Sequence, residues 1–392
     1  KSLKRKMKIY KVGGAVRDRL LSFQYHETDW VVIGSSPEEM INLGFTPVGR
    51  DFPVFLHPKT KEEYALARTE KKISVGHQGF EFYTDPEITL EEDLGRRDLT
   101  INAIAEDSKG VLIDPYGGVK DVEDKILRHV SDAFIEDPLR VFRVARFYAR
   151  YQHLGFKIAK ATKTLMIDIV DSGEILTLSN ERIWSEIESA MREIAPHSFF
   201  SCLLETRALR EIIPEVFQKM SENSENKEKS LALMKSVAAE INEIELRFAS
   251  LFWSLLPELE YKPDLIKTIF KRLKAPNKFT EVATLFYRNI ERAWISPYLD
   301  PPSIISMTKE MGILKNSELF DMLLRFFVKV WQVENKNSAE IERTESFLKS
   351  VHKELNKIKI DDFEISNLSG HEIGKKLEKA QTKIIIELQK AS

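Results

Sequence analysis

One segment near the start of the chain constrains its fold more than any other: KIYKVGGAVRDRLLSFQYHETD, from Lys8 to Asp29. Its pattern predicts a short strand, a turn at the glycine pair Gly13-Gly14 and then a helix that contains Arg17. Glycines let backbone N–H groups approach an anion closely, and the following helix points its positive end toward the same place. The segment therefore predicts a turn between strand and helix that can hold phosphate groups.

Two carboxylates, Glu27 and Asp29, come just before the apolar run from Trp30 to Ile33. That run predicts a strand, and side chains two residues apart in a strand point to the same face of the sheet. Two carboxylates on one face repel each other unless a cation lies between them, and oxygen ligands beside phosphate suit Mg²⁺. A glycine pair alone is typical of any tight turn, and Glu-x-Asp alone of a solvated surface. Their conjunction around Arg17 predicts a site for a nucleoside triphosphate and its magnesium ion.

Composition excludes several classes of protein. At 392 residues the chain is long enough for two or three domains, and its net charge of -2 means that nucleic-acid contacts require local basic patches. The single cysteine, Cys202, excludes a disulfide framework and favours a reducing compartment. The sequence contains no apolar run of membrane-spanning length and no signal peptide. We therefore expect a soluble, cytoplasmic protein without a membrane partner.

Strand and helix signals alternate up to about residue 130. A helix is predicted over 36–42 and strands over 45–68, where Glu63 is either a third metal-binding carboxylate or a solvated edge residue. Residues 69–85 are polar and show no sustained period, so we expect an ordinary loop or a mobile lid there.

Three charged residues, Arg96, Arg97 and Asp98, precede the alternating segment LTINAIA at 99–105, which predicts a strand. These charges either pair with one another at the surface or bind triphosphate oxygens and a ribose hydroxyl. Further on, DPYGG at 114–118 predicts a turn that can serve as a joint between domains.

Helices predominate after residue 119, and one of them is predicted to start at Asp137-Pro138. Asp137 fits the N-cap and Pro138 the first helical position. At 100° per residue, four arginines lie on one side of this helix: Arg140, Arg143, Arg146 and Arg150. Such a face is either solvated or in contact with anions, and its predicted nearness to a phosphate site favours anions.

The i, i+3 spacing of Asp137 and Arg140 places the two side chains next to each other on the helix. A carboxylate accepts hydrogen bonds, whereas a guanidinium only donates them. Cytosine and adenine present an amino donor beside ring acceptors, whereas guanine and uracil present an N–H beside a carbonyl. The pair can therefore accept CTP and ATP and reject GTP and UTP, because buried polar groups left unpaired are costly.

Six motifs in order resemble the class II tRNA nucleotidyltransferases, the CCA-adding enzymes, which share the polymerase-β superfamily with bacterial poly(A) polymerases. The resemblance covers roughly residues 7 to 215 and rests on GGAVRD (13–18), E-x-D (27, 29), RRDLTIN (96–102), DPYGG (114–118), EDPLRVFRVARF (136–147) and NERIW (180–184). It implies an α+β fold with a polymerase-β-like nucleotidyltransferase head at 7–130, an all-α neck at 131–215 and an all-α, tRNA-binding body and tail at 216–392.

The resemblance also implies roles for individual residues. Glu27 and Asp29 match the catalytic, metal-binding pair. Nucleotide binding is expected of Gly14, Arg17, Arg97, Asp98, Asp137, Arg140, Arg143 and Arg146. Thr69 to Asp85 matches the loop that switches the enzyme from C to A, and DPYGG matches a spring between head and neck. The implied reaction adds CMP, CMP and AMP from CTP and ATP to a tRNA 3′ end, with Mg²⁺ as cofactor and pyrophosphate as product.

Two departures from the family pattern bear on function. The metal pair is usually D-x-D, and Glu27 in the first position keeps the charge but shifts the carboxylate oxygens. Similar heads are often followed by an HD phosphohydrolase domain, but this chain has no His-Asp dipeptide, so we expect no phosphatase or phosphodiesterase activity. Two alternatives stay open: a poly(A) polymerase with the same head, and an RNA-binding protein with a decayed head.

The second half of the chain matches the family only at its end, where LSGHEIGKKLEKA at 368–380 resembles the closing helix. Residues 219–230 are polar and predict a mobile connection. Between Lys262 and Lys278, six basic residues accompany one acid, Asp264, which predicts either tRNA phosphate contacts or solvated lysines.

Overall fold

The structure, a computed structural model, describes residues 7–24, 27–48, 54–72, 80–312, 314, 316–359 and 369–391, with the backbone alone at 70–72 and 80–83. The chain forms two compact units, Lys1–Pro214 and Glu215–Ser392. The predicted head and neck both fall in the first unit, and the boundary between them near residue 130 stays a prediction.

The strands of the described chain all lie in the first unit. In chain order they are β1 (Lys8–Val12), β2 (Asp29–Ile33), β3 (Thr46–Val48), β4 (Val54–Leu56), β5 (Glu63–Leu66), β6 (Arg68–Lys72), β7 (Phe80–Thr84), β8 (Ala105–Glu106), β9 (Leu112–Ile113), β10 (Ile126–Leu127) and β11 (Lys157–Ile158).

The helices of the described chain continue into the second unit. In chain order the α-helices are α1 (Gly14–Leu20), α2 (Pro37–Asn42), α3 (Leu90–Gly95), α4 (Gly118–Asp124), α5 (Leu139–Tyr151), α6 (Lys160–Asp171), α7 (Asn180–Met191), α8 (Pro196–Glu205), α9 (Ala208–Ile212), α10 (Pro214–Glu222), α11 (Ser224–Glu240), α12 (Ile244–Ala249), α13 (Leu256–Leu259), α14 (Leu265–Arg272), α15 (Asn277–Trp294), α16 (Pro301–Glu310), α17 (Ser317–Val333), α18 (Ser338–Asn356) and α19 (Gly370–Ala391). The mixed head followed by helices confirms the predicted α+β class.

One sheet of seven described strands, in the order β3-β4-β5-β2-β1-β8-β9, organises the first unit. Neighbouring strands are antiparallel except β2 and β5, which are parallel. The register places Asp29 opposite Val12 and Trp30 beside Tyr64. The predicted strand, glycine turn, helix and second strand are thus confirmed, and Asp29 begins β2 next to the residue that precedes the glycine pair.

Side chains alternate between the two faces of this sheet, and each face is covered by its own apolar core cluster. Val31 belongs to one core cluster, which includes Val12, Leu94, Ala103 and Ala105. Val32 belongs to the cluster on the opposite face, which includes Met40, Phe45, Phe55 and Leu66. Helix α2 closes one of these clusters, and its predicted start is confirmed by a capping box between Ser36 and Glu39.

Helix α5 carries the apolar stripe that fixes the orientation of its arginines. It packs against α7 and α8, and its side chains Val141, Phe142, Val144 and Ala145 are fully buried. Because this stripe faces the helical core, the arginine side of α5 is held at a fixed angle to the sheet.

The second unit is built of helices around aromatic side chains. The rings of Phe286 and Phe326 are in tilted contact, with centroids 4.1 Å apart, and a further cluster joins α16, α18 and α19 through Ile305, Phe347 and Ile385. Helix α19 confirms the predicted closing helix. No helix in the described part of the chain is long and apolar enough to cross a membrane.

Three local predictions are wrong. Residues 69–85 are not an irregular loop, because β6 and β7 pair in antiparallel register from Arg68–Thr84 to Lys72–Phe80. Residues 73–79 lie outside the described chain, and the switching role of the segment stays a prediction. The pairing was missed because the two strands stabilise each other across an intervening segment, which a local period does not reveal.

LTINAIA does not form the predicted strand but a 3₁₀ turn at Thr100–Asn102, followed by β8. Its alternating polar residues are buried rather than solvated. The Thr100 hydroxyl donates to Asp121 at 2.7 Å, and the Asn102 amide donates to Asp98 at 2.9 Å. The polar residues that alternate in this segment therefore make internal hydrogen bonds and do not face solvent from a half-exposed sheet.

The predicted mobile connection at 219–230 is helical instead, formed by the end of α10 and the start of α11. Asn223 caps α11 by accepting the Glu225 N–H at 2.8 Å, and Lys229 pairs with Glu225 one turn apart. The polar composition marks a solvated helix surface.

The basic segment from Lys262 to Lys278 is partly neutralised within the second unit. Lys267 pairs with Asp264, but Arg272 and Lys278 pair with Glu215 and Glu245, which lie outside the segment. Acids distant in sequence thus weaken the phosphate-binding interpretation for this stretch.

Candidate active site

A cavity of about 560 Å³ opens in the first unit where β1, β2 and α5 converge. All the predicted site residues except Glu27 line it. Among the described lining residues are nine arginines, at 17, 68, 96, 97, 140, 143, 146, 150 and 182, and four carboxylates, at Asp29, Glu63, Asp98 and Asp137. This excess of positive charge in an otherwise slightly acidic chain suits a polyanionic ligand.

The carboxylates of the sheet lie at one edge of this cavity. Asp29 is exposed at the start of β2, and Glu27 is exposed two residues earlier. Since Trp30 lies beside Tyr64 in parallel register, Asp29 and Glu63 occupy matching positions at the starts of neighbouring strands, and both line the cavity.

These oxygen donors fit a hard divalent cation. The described residues contain no group of three or more His, Cys, Asp or Glu side chains that could hold a metal ion. Mg²⁺ commonly binds through one or two carboxylates and completes its shell with water and substrate phosphates. Asp29 lines the arginine-rich cavity and Glu27 is exposed two residues before it, so the chain carries a pair of carboxylates of the kind that Mg²⁺ binds.

The glycine turn brings the backbone close to an arginine. Gly13 has φ of +69°, which L side chains rarely adopt, and a Cβ there would lie 3.1 Å from Arg97 Nη1. Next to it, the guanidinium of Arg17 is buried, donates to Asn102 at 2.5 Å and lies over the Phe147 and Tyr151 rings. The turn and both arginines therefore form one packed unit.

Asp93, a fully buried residue of α3, organises a second group of arginines. Its carboxylate pairs with Arg96 and Arg97 and accepts the backbone N–H of Arg68 at 3.2 Å. Burial alone would raise the pKa of Asp93, but the two guanidinium groups and the Arg68 N–H lower it. Asp93 thus stays ionised and links the first residue of β6, which pairs with β7, to the cavity arginines.

Asp98 is held by Arg143 of α5, whose Nε lies 2.7 Å from its carboxylate. Burial opposes ionisation of Asp98, but Arg143, the Asn102 amide and the Leu99 N–H together hold its pKa well below the usual range. The same contact raises the pKa of Arg143. Asp98 is therefore ion-paired with Arg143. The ribose contact predicted for Asp98 stays a proposal.

Residues of other elements hold the arginine side of α5. Arg146 lies 2.6 Å from Glu186 of α7, and Arg150 lies 3.3 Å from Glu193. Arg140 donates from Nη1 to the Ala133 carbonyl and from Nη2 to the Arg96 carbonyl. These partners come from other elements, so the helical pattern alone did not reveal them.

Asp137 and Arg140 both line the cavity, but Asp137 pairs with Arg182 of α7, at 3.0 Å. Asp137 also accepts the Leu139 N–H at 3.1 Å, as a capping residue does. Sequence reasoning singled out the NERIW motif but not its arginine, and it also passed over Asp93, Asn102 and Glu186. The only sequence signal for them was their position within or near recognised motifs.

Comparisons with known proteins agree with this architecture. The family model described as Poly A polymerase head domain matches residues 9–128, and the one described as Probable RNA and SrmB-binding site of polymerase A matches residues 155–220. Nucleotidyltransferases of this kind generally use a divalent metal ion.

Curated relatives match nearly the whole chain. The CCA-adding enzyme of Pseudomonas putida (strain W619) is 42% identical over 371 residues, which is 95% of each chain. The Multifunctional CCA protein of Acinetobacter baylyi is 39% identical over 409 residues, which is 98% of each. Among solved structures, the Thermotoga maritima CCA-adding enzyme complexed with tRNA_CCA shares the fold, with a TM-score of 0.67 at 21% identity, covering 98% of this chain and 91% of that one.

Proposed function

Because the chain belongs to the family of CCA-adding enzymes, we propose that it adds CCA to the 3′ end of tRNA from CTP and ATP and releases pyrophosphate. The observation that carries this proposal is one cavity in which the sheet carboxylates, the glycine turn and the arginine side of α5 lie together. Carboxylates next to a dense group of arginines suit a triphosphate whose nucleotidyl group is transferred and whose pyrophosphate leaves.

In this mechanism Glu27 and Asp29 hold Mg²⁺, and Glu63 adds a carboxylate at the neighbouring strand start. A magnesium ion held by these carboxylates would lower the pKa of the terminal ribose hydroxyl and would offset charge on the triphosphate. Glu27, in place of the family's usual Asp, reaches one methylene further and lies two residues before the first residue of β2.

The triphosphate lies against the glycine turn in this proposal, where Gly14 lets the backbone approach and Arg17 and Arg97 neutralise phosphate charge. Asn102 and Asp93 hold these two guanidinium groups in place before the ligand arrives. Preorganised donors of this kind cost no rearrangement during the reaction.

In this proposal, residues at the start of α5 select the nucleotide base. Asp137 accepts the amino group that cytosine and adenine share, and Arg140 is the donor predicted beside it. Arg143 and Arg146 line the same pocket from the next turns of the helix.

The tRNA partner is supported by a basic groove of about 430 Å³ on the first unit, which we call the lysine groove. It is lined by Lys125, Arg128, Lys157 and Lys160, with Asp124 as the acid among the described lining residues. Two of these lysines fall within 155–220, the part matched by the probable RNA-binding model. We place the reaction in the cytoplasm, which the single buried cysteine favours.

Primer extension tests the proposed function. Purified protein with Mg²⁺ receives tRNA transcripts that end before CCA, after C and after CC, with single nucleoside triphosphates and then the mixture. Addition of exactly C, C and A, with a stop after the third residue, is expected. Long adenosine tails would indicate a poly(A) polymerase, and tRNA binding without incorporation would indicate an RNA-binding protein.

Asp29→Ala is expected to abolish incorporation, because the exposed carboxylate at the start of β2 is a proposed metal ligand. Circular dichroism and the melting temperature should match the wild type, since Asp29 is exposed. Glu38→Ala, at an exposed acid of α2, serves as the matched control and should retain activity. Substantial turnover by the Asp29 variant would contradict the metal assignment.

A further inference from the structure

One aromatic ring in the arginine-lined cavity contacts three guanidinium groups. Arg146, Arg17 and Arg143 lie over the Phe147 ring, with their Cζ atoms 4.8, 5.3 and 5.9 Å from its centroid. Phe147 lines the cavity together with these arginines, and only 4% of the residue is exposed. The negative face of an aromatic ring attracts cations that lie within about 6 Å of its centroid. The three arginines therefore form one cluster around Phe147.

A second ring of the same helix supports the first. Tyr151, one turn further along α5, is 1% exposed, and its ring lies parallel to that of Phe147, with centroids 6.3 Å apart and an angle of 3° between the planes. Arg17 also lies over the Tyr151 ring, 5.4 Å from its centroid. The Tyr151 hydroxyl donates to the Asp18 carboxylate at 3.3 Å. The orientation of the Phe147 ring is therefore set by packing within the first unit.

Acids hold two of these guanidinium groups by a different edge. Arg143 donates from Nε to Asp98 at 2.7 Å, and Arg146 donates from Nε to Glu186 at 2.6 Å. A single hydrogen bond leaves the plane of a guanidinium free to turn about it, and a ring against the flat face restricts that rotation. The two terminal nitrogens form the fork that binds phosphate oxygens in pairs. The ring thus restricts the directions in which the forks of Arg143 and Arg146 can point.

The ring also differs from a carboxylate in its effect on charge. The described lining of the cavity carries nine arginines and four carboxylates, and clustered like charges repel one another. A carboxylate reduces that repulsion by cancelling positive charge, whereas an aromatic ring attracts a cation through its quadrupole and adds no negative charge. Phe147 therefore stabilises the arginine cluster while the cavity keeps the charge that attracts a polyanion.

We propose that Phe147 is a positioning residue for nucleotide binding, an inference that rests on the proposed function of this cavity. Its ring holds Arg17, Arg143 and Arg146 in the orientations in which they meet the nucleoside triphosphate. Phe147 acts through these arginines and takes no part in the chemistry. Because its contribution is the attraction between ring and cations, that contribution depends on the electron density of the ring and not on its size alone.

Fluorinated analogues of phenylalanine separate these two properties of the ring. Phe147 of the full chain is replaced by analogues with one, two and three ring fluorines, which weaken the attraction for cations with little change in size. The Kd for CTP, with Mg²⁺ and without tRNA, is then measured by titration calorimetry. It should rise with each added fluorine and reach roughly two- to thirtyfold for the trifluorinated ring, the range that corresponds to cation–π contacts of ordinary strength.

Phe142 is the matched control. It lies in the same helix, is fully buried in the apolar stripe that faces the helical core, and is not among the described residues that line the cavity. The same three analogues at this position should leave the Kd for CTP unchanged. Phe147→Leu, which removes the ring, should raise the Kd at least as far as the trifluorinated analogue does.

The outcomes separate this inference from the proposed function. A protein that binds CTP but incorporates none in primer extension would contradict the proposed function, and the fluorine series would still test the inference. An equal Kd for all the ring analogues at Phe147, together with a lower melting temperature for Phe147→Leu, would overturn the inference and leave Phe147 as a packing residue. If Phe147→Leu does not fold, the fluorine series decides by the same criterion, because its rings stay close to the natural size.

Discussion

At the scale of single residues, buried acids determine where the cavity arginines point. Asp93 is fully buried and Asp98 is 5% exposed, and together they contact Arg96, Arg97 and Arg143. Long guanidinium side chains lose conformational freedom when they bind, and a partner that already holds them reduces that loss. The acids therefore hold the cavity arginines in place and also limit mutual repulsion among them.

Asp98→Asn should destabilise the protein by about 2 to 3 kcal/mol at pH 7. The loss is smaller than for a fully buried ion pair, because the Arg143 side chain is 37% exposed and solvent screens the interaction. The folded-state pKa of Asp98 lies below its ordinary value, so its contribution is complete above the unfolded-state pKa and is lost as pH falls. The difference in free energy of unfolding between wild type and variant should thus stay constant from about pH 7 to 5 and shrink below about pH 4.

Urea unfolding at a series of pH values measures this difference. Asp168→Asn, at an exposed position of α6, is the control and should leave the stability profile nearly unchanged. A difference for Asp98→Asn that persists unchanged at pH 3 would show that the ion pair with Arg143 is not what the substitution removes.

At the scale of elements, the second glycine of DPYGG packs α4 against the 3₁₀ turn at Thr100–Asn102. The Asp114 carboxylate accepts the Gly118 and Val119 N–H groups at 2.7 and 2.9 Å, which fixes the start of the helix. A Cβ at Gly118 would lie 2.1 Å from the Thr100 carbonyl oxygen and 2.8 Å from an Ile104 side-chain carbon. The motif is therefore required for close packing, whatever its proposed role as a spring.

Gly118→Ala should lower the free energy of unfolding by about 2 to 4 kcal/mol, because a backbone carbonyl must move to admit the methyl group. Gly374→Ala offers the same chemical change in open space within α19, where nothing lies within 4 Å of the added Cβ. There it should stabilise the helix by about 0.5 to 1 kcal/mol. Thermal unfolding of both variants measures these changes: the melting temperature should fall for Gly118→Ala and rise for Gly374→Ala. Equal shifts in melting temperature would refute the packing explanation.

At the scale of the whole molecule, the sequence carries a net charge of -2, yet the described part of the first unit contains two local clusters of cations. One is the arginine-lined cavity and the other is the lysine groove, where Lys125, Lys157 and Lys160 are exposed. Such segregation lets a slightly acidic protein bind a polyanion locally without general attraction to nucleic acid.

Replacing Lys125, Lys157 and Lys160 with Gln together should weaken tRNA binding and reduce the slope of log affinity against log salt by up to about three. KM for CTP should stay unchanged, since these lysines do not line the cavity. Lys163→Gln, which removes a lysine already paired with Glu205, is the control and should leave the slope unaltered. Equal salt slopes for the wild type and the triple variant would exclude the groove as a tRNA contact.

The sequence by itself determined the features that depend on neighbours along the chain. The strand, glycine turn and helix from Lys8 to Leu20, the strand at Asp29 and the position of α5 all follow from local period and from Gly and Pro chemistry. The order of the motifs was sufficient to identify the family and most residues of the cavity.

Only the tertiary structure decided which charges meet. Arg17 donates a hydrogen bond to Asn102, which lies 85 residues further along the chain. Arg143 pairs with Asp98 and Arg182 pairs with Asp137, and each of these pairs is separated by 45 residues. It also decided that the segments on either side of 73–79 pair as strands. Helical spacing suggested Arg140 as the partner of Asp137, but spacing within one helix does not reveal contacts with other helices, and Asp137 pairs with Arg182 of α7. The packing of α7 and α8 against α5 sets which side chains reach the cavity, and that packing is a property of the assembled core.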